Sequence, residues 1–391
     1  MAAQTSPSPV SVRLDYLDSV RGLAALATLV GHWLHMFASP DQGIGECVRQ
    51  RWDPLICGAD GVSMFFVLSG LVLSLKYLRR EGDMGLNYAE FLVNRFFRIY
   101  PACFVVLLFY FYSAHEQDAT GNFLWRWLWG ENRQFWQEAS LIRNVSRYFG
   151  PVWTLNVEVM LSIIVPFLIL LIRHKPRWFK YLWVISIFWS SYYSMFIFHF
   201  MCGIWMAEHF QEIQGFDFRA SRWYRWRWWI VLAAYVLYSW REWMDMPVDC
   251  LPGYLHGLRW VQPGEYWKYW SSLLGLNAFH FTGLGAALML LMVIYSKRLQ
   301  HLLSLKPLLF LGRISYGIYI VHWYFLFNVL QHRYWPWMER YGWSGQKTHL
   351  VIGVAALALS IAAATVLHYA VEKPFIRYGR IWAARAKARF A

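Results

Sequence analysis

Residues 21–32 read RGLAALATLVGH, an arginine and a histidine at the two ends of an apolar run. At about 100° and about 1.5 Å per residue, the step from Arg21 to His32 returns to nearly the same helix face about 16 Å further along. One stripe of this helix therefore carries a guanidinium near a membrane surface and an imidazole near mid-bilayer. Ionisable groups at that depth cost several kcal/mol unless they face a polar interior, so they mark a functional site. The fold that supplies such an interior is a bundle of membrane helices.

The rest of the chain agrees. Of 391 residues, 58% are hydrophobic and 15% charged, and the apolar residues gather in blocks of about 15 to 25, the length that crosses a bilayer. This composition excludes a soluble domain. The N-terminal MAAQTSPSPVSVRLDYLDSV lacks the basic stretch and small-residue cleavage site of a secretory signal. Spans are expected near 20–38, 59–75, 99–113, 152–172, 181–195, 196–210, 228–241, 270–295, 307–328 and 349–371, an all-α integral membrane bundle of about ten helices. The stretch 181–210 is the weak point, since two spans there are short and one would make nine. With both termini cytoplasmic, most lysines and arginines fall on inner segments, as the positive-inside rule requires.

A net charge of +14 is thus a topology signal and not a nucleic-acid footprint. The chain divides into a disordered cytoplasmic N-terminus (1–13), one membrane domain (14–378) and a basic cytoplasmic tail (379–391). The 25 tryptophans suit bilayer interfaces, and WYRWRWW (223–229) reads as an interfacial anchor. Cys47, Cys57, Cys103, Cys202 and Cys250 have no metal-ligand spacing, and no metal is expected. Cys47 and Cys57 share one outer loop, where they either form a disulfide or stay free. The outer FLWRWLWGENRQFW (123–136) suits either sugar stacking or an interfacial helix.

Six segments occur in an order that carries more than any one alone: LDYLDSVRGLAALATLVGH (14–32), GVSMFFVLSG (61–70), NRFFRIYP (94–101), PVWTLNVEV (151–159), LGRISYGIYIVH (311–322) and HYAVEKPF (368–375). Their order and spacing resemble the acyltransferase-3 family, membrane enzymes that move acyl groups from coenzyme A thioesters onto sugars and related hydroxyls. The resemblance covers about residues 14–378. It implies that His32 is the catalytic base, as a group titrating near neutral pH, and that Arg21 helps hold the acyl donor.

Within that resemblance, Arg95 and Arg98 share a helix face, and their planar forks suit the phosphates of coenzyme A. Ser69 and Gly70 either pack helices closely or let the pantetheine arm pass. Glu158 either orients and charge-balances His32, hydrogen-bonds the acceptor, or is a structural partner for an Arg or His. Trp153 is an acceptor platform or an interface residue. Ser315, Tyr319 and His322 form one polar stripe, in which Tyr319 and His322 line the acceptor path or pack. His35 reads as a gate or interface residue, and Glu372, Lys373 and Pro374 as an ion pair and helix stop. Val159 and Met160 stand where the family pattern leads one to expect a second acidic residue or an aromatic.

The implied activity is an O-acyltransferase, an O-acetyltransferase in its simplest form, that transfers groups other than aminoacyl groups. Its donor substrate would be acetyl-CoA or another acyl-CoA. Its acceptor would be a carbohydrate such as an extracellular polysaccharide or its lipid-linked precursor. The implied partners are membrane lipids and either a polysaccharide synthesis machinery or a second copy of the chain, and the implied location is a bacterial inner membrane. Two rival classes are a proton-coupled transporter of polysaccharide precursors and a catalytically silent partner in a synthesis complex.

Overall fold

The computed structural model describes residues 14–35, 55–56, 58, 60–78, 84–115, 132–142, 149–193, 196–244, 276, 278–343 and 345–390. Among the described residues every regular element is helical. Five stretches are long and apolar enough to cross a membrane: Gly61–Leu78, Tyr88–Ser113, Val152–His174, Ala278–Tyr295 and Lys347–Arg385. The other expected spans are also helical, but they are shorter or more polar. Length and hydropathy therefore support five crossings and leave ten as an expectation. The expected N-terminal segment 1–13, Cys47, Cys57, Cys250 and all of 116–131 lie outside the described residues.

In chain order the helices are α1 (Asp15–His35), α2 (Gly61–Leu78), α3 (Met84–His115), α4 (Asn132–Ala139), α5 (Val152–His174), α6 (Pro176–Tyr193), α7 (Ile197–Glu208), α8 (Phe210–Gly215), α9 (Arg227–Tyr238), α10 (Trp240–Met244), α11 (Ala278–Tyr295), α12 (Lys297–Leu303), α13 (Lys306–Trp323), α14 (Trp335–Arg340), α15 (Gly345–Leu367) and α16 (Lys373–Phe390). The doubtful stretch 181–210 is two helices, α6 and α7. Asp15 and Asp18 in the first turn of α1 complement its positive end. They also lower its hydropathy, so α1 is a poor span by composition although it has 21 residues.

Two close crossings organise the bundle. Where α1 meets α13, a Cβ on Gly22 would sit 2.7 Å from the backbone of Gly312, and one on Gly312 would strike the Asp18 carbonyl. Where α2 meets α7, Gly70 and Gly203 bring the two backbones into the same kind of contact. In lipid, where no hydrophobic force draws helices together, such small residues let backbones pack. Apolar cores lie on either side of α2, one built with α3, α5 and α13 and the other with α1, α7 and α11.

Three local features differ from expectation. The span foreseen at 99–113 is the second half of α3, whose first half is flanked by α16: Gly379 lies against Phe97, and the rings of Phe97 and Phe375 stack at 6.4 Å. Pro374 does not stop a helix. A π-turn over His368–Glu372, in which the Lys373 N–H reaches the His368 carbonyl, widens the backbone just before it, so the proline ring is accommodated and the helix runs on through the basic tail. Glu372 pairs with His368 at 3.0 Å, and Lys373 lies 5.5 Å over the Tyr369 ring, so the foreseen Glu372–Lys373 pair is absent. The reason is periodicity, because residues four apart face one another on a helix and adjacent ones do not.

Candidate functional site

A cavity of about 250 Å³ opens among α1, α2, α3, α5 and α13. Each helix contributes polar groups to a mainly apolar wall: Asp18 and Arg21, Ser69 and Lys76, Asn94 with Arg95 and Arg98, Thr154 and Glu158, and Tyr316 and Tyr319. Four cations thus face two carboxylates, and the surplus is positive. Arg95 donates from Nη2 to Glu158 Oε1 at 2.6 Å and from Nη2 and Nε to Ser162 Oγ at 2.9 and 3.2 Å. The Ser162 hydroxyl spends its own proton on the Glu158 carbonyl at 2.5 Å. Ser69 Oγ stands 3.5 Å from the same carboxylate oxygen. Arg21 pairs with Asp18 at 3.3 Å. Arg98 and Lys76 are exposed at the cavity.

His32 is not on the cavity wall. It lies beyond Tyr319, which faces the cavity on one side and places its ring 5.7 Å from that of His322 on the other. Tyr319 is held there by its hydroxyl, 2.7 Å from Thr154 Oγ1, and by the edge-on ring of Phe65. Behind it, His32 Nδ1 and His322 Nε2 are 3.0 Å apart, and Trp323 and Phe327 pack edge-on around the His32 ring.

The structure therefore gathers Arg21, Ser69, Arg95, Arg98, Glu158 and Tyr319 around one cavity and pairs His32 with His322 next to it. At three positions the structure narrows what the sequence left open. Glu158 takes Arg95 as its partner, not His32, because Arg95 shares the cavity wall with it and His32 lies off that wall. His322, foreseen as lining an acceptor path or packing, is fully buried and bonded to His32 and its own helix turn. Trp153 does not line the cavity; it is half-buried against the ring of Phe196 at 5.7 Å. The side chain of His35 lies outside the described residues.

Several cavity residues escaped the sequence reading. Lys76 lies seven positions past Ser69, on the same face of α2, and Asp18 lies one turn before Arg21, so helical periodicity could have found both. Ser162, which does not line the cavity but holds Arg95, is one turn beyond Glu158. Asn94 and Tyr316 carried no signal of their own.

A family model described as an acyltransferase domain matches residues 14–369. The chain is similar to the acyltransferase MdmB of Streptomyces mycarofaciens, 29% identical over 173 residues, which are 43% of this chain and 42% of that protein. The similarity thus spans less than half the length of that relative. No solved structure matches the chain.

Proposed function

The chain belongs to the acyltransferase-3 family, and from that premise we propose that it transfers an acyl group, acetyl in the simplest case, from acyl-CoA to a carbohydrate hydroxyl. The acyltransferase family model and the five helices apolar enough to cross a membrane support acyl transfer by an integral membrane protein; the donor, the acceptor and the base are the finer parts of the same proposal. The observation that carries it is the cation-rich cavity whose far wall, Tyr319, is one ring away from the His32–His322 pair.

The donor set suits phosphate and thioester. Arg98 and Lys76, exposed at the cavity, would take phosphate oxygens of coenzyme A, and Arg21 and Arg95 would draw the donor inward. The basic residues at this end of the bundle support a cytoplasmic mouth by the positive-inside rule, which is where coenzyme A thioesters are made. Glu158 holds Arg95 in register and so acts on the donor side. Ser69 would keep the surface beside Glu158 small enough for the pantetheine arm.

At His32 the imidazole would take the proton of an acceptor hydroxyl as its oxygen attacks the thioester carbon. The carbon–sulfur bond then breaks, and the thiolate leaves with the proton that the imidazolium returns. For the thioester and His32 to meet, Tyr319 must swing aside or let the acyl end pass. An extracellular polysaccharide or its lipid-linked precursor is the acceptor class that the family resemblance implies. The test is acetyl-CoA consumption and surface-glycan O-acetyl content in cells carrying His32→Ala or Arg95→Ala. Loss of both signals in His32→Ala is expected; full acylation in that variant overturns the reading.

A further inference from the structure

The bonds of His322 fix more than its own position. Its Nδ1 lies 2.6 Å from the Tyr319 carbonyl, one turn back on α13. A carbonyl oxygen only accepts, so this nitrogen carries hydrogen. His322 is fully buried, and its partners among the described residues are carbonyls of its own helix and another imidazole, with no carboxylate beside it to balance a charge. A buried, uncompensated imidazolium is costly, so the ring is neutral and its Nε2 carries a lone pair. That Nε2 faces His32 Nδ1 at 3.0 Å, which makes His32 Nδ1 the donor.

The ring geometry agrees. The two planes are 11° apart and the centroids 5.2 Å, longer than the nitrogen separation by about two ring radii. The two rings therefore meet edge to edge, and the nitrogen–nitrogen line runs in both ring planes, where an N–H bond and a lone pair lie.

We propose that His322 is a positioning residue that fixes His32 as the Nδ1–H tautomer and thereby leaves the basic lone pair on Nε2. A free histidine side chain favours the opposite tautomer, so the pair inverts the default. The inference rests on His32 being the base of the proposed reaction. A base oriented by a third group is the arrangement of hydrolase triads. Here the third group is neutral: it sets the tautomer and accepts from Nδ1–H while His32 is protonated, without supplying a negative charge. Trp323 and Phe327 keep the ring from turning over.

The test uses the full-length protein in lipid nanodiscs with ¹⁵N-labelled histidine. In the wild type, the His32 ring shifts are expected to show a protonated Nδ1 and a pyridine-like Nε2. In His322→Phe the proton moves to Nε2 and kcat falls about 10²- to 10⁴-fold, with acyl-CoA binding retained as the check on folding. His322→Gln, whose amide oxygen can accept from Nδ1–H, recovers about tenfold or more of that loss, which a merely structural role would not predict. A wild-type His32 protonated on Nε2 overturns the proposal, as does a fully active His322→Phe beside an inactive His32→Ala. An active His32→Ala removes the base reading itself, a failure distinguishable because the tautomer is read in the wild type without reference to activity.

Discussion

Arg95 on α3 and Glu158 on α5 meet at 2.6 Å, the shortest ion pair among the described residues, and Ser162 holds the same guanidinium from one turn further along α5. Their side chains are 14% and 24% exposed, so the pair lies between a surface bridge of about 0–1 kcal/mol and a buried one whose rupture costs about 3–5 kcal/mol. Removal of either partner is expected to cost about 2 kcal/mol, and a double-mutant cycle with Arg95→Ala and Glu158→Ala should return a coupling of about 1–2 kcal/mol. Unfolding in detergent measures it. Purely additive losses would show that the pair contributes nothing.

Arg98 and Lys76 are exposed at the cavity and are expected to bind the donor equally in the ground and transition states. Arg98→Ala and Lys76→Ala should each raise the KM for acyl-CoA about tenfold with kcat little changed. The effect should shrink at high salt, where exposed charges are screened. Steady-state kinetics at two ionic strengths checks this. A fall in kcat at constant KM would place these cations in the chemistry instead.

Thr154 and Tyr319 offer an asymmetric prediction. Thr154 Oγ1 already donates to the Pro151 carbonyl at 2.8 Å, so in the 2.7 Å contact the Tyr319 hydroxyl is the donor. Tyr319→Phe leaves Thr154 still bonded and should cost about 1 kcal/mol or less. Thr154→Val leaves a buried phenol without its acceptor and should cost about 1–3 kcal/mol. Equal losses, read from thermal unfolding, would contradict the assignment of donor and acceptor.

At the α1–α13 crossing, Gly312→Val should be worse than any of these changes. Even a Cβ there strikes the Asp18 carbonyl, and backbone cannot yield as a side-chain tip can. The expected cost is about 3 kcal/mol or more, at or above the upper end for overpacking, with loss of acyl-CoA binding because Arg21 sits one residue from Gly22. Size-exclusion profiles and ligand-induced stabilisation report both. A variant that stays monodisperse and binds donor would show that the crossing has slack.

Much of this was legible in the residues. Blocks of apolar sequence forecast helices over the described part of every expected span, because burial of backbone polar groups in lipid leaves the helix as the default. The eleven-residue step from Arg21 to His32 forecast a shared face, and α1 keeps Arg21 at the cavity and His32 beyond it. The pair Arg95 and Arg98 forecast a basic helix face, and both line the cavity. What misled was adjacency: Glu372 and Lys373 looked like a pair, and Pro374 looked like a stop, because a π-turn leaves no mark in the local composition.

The chain alone determined that it folds as apolar helices, which faces of those helices are polar, and through its ordered motifs the family to which it belongs. Only the tertiary structure decided that Glu158 answers Arg95, that His32 answers His322, and that Tyr319 stands between the cavity and the histidines. Helical periodicity is a property of one segment and specifies a direction around its axis. Partners 63 and 290 positions apart depend on which helices the glycine crossings bring side by side, and that is settled only when the whole bundle packs.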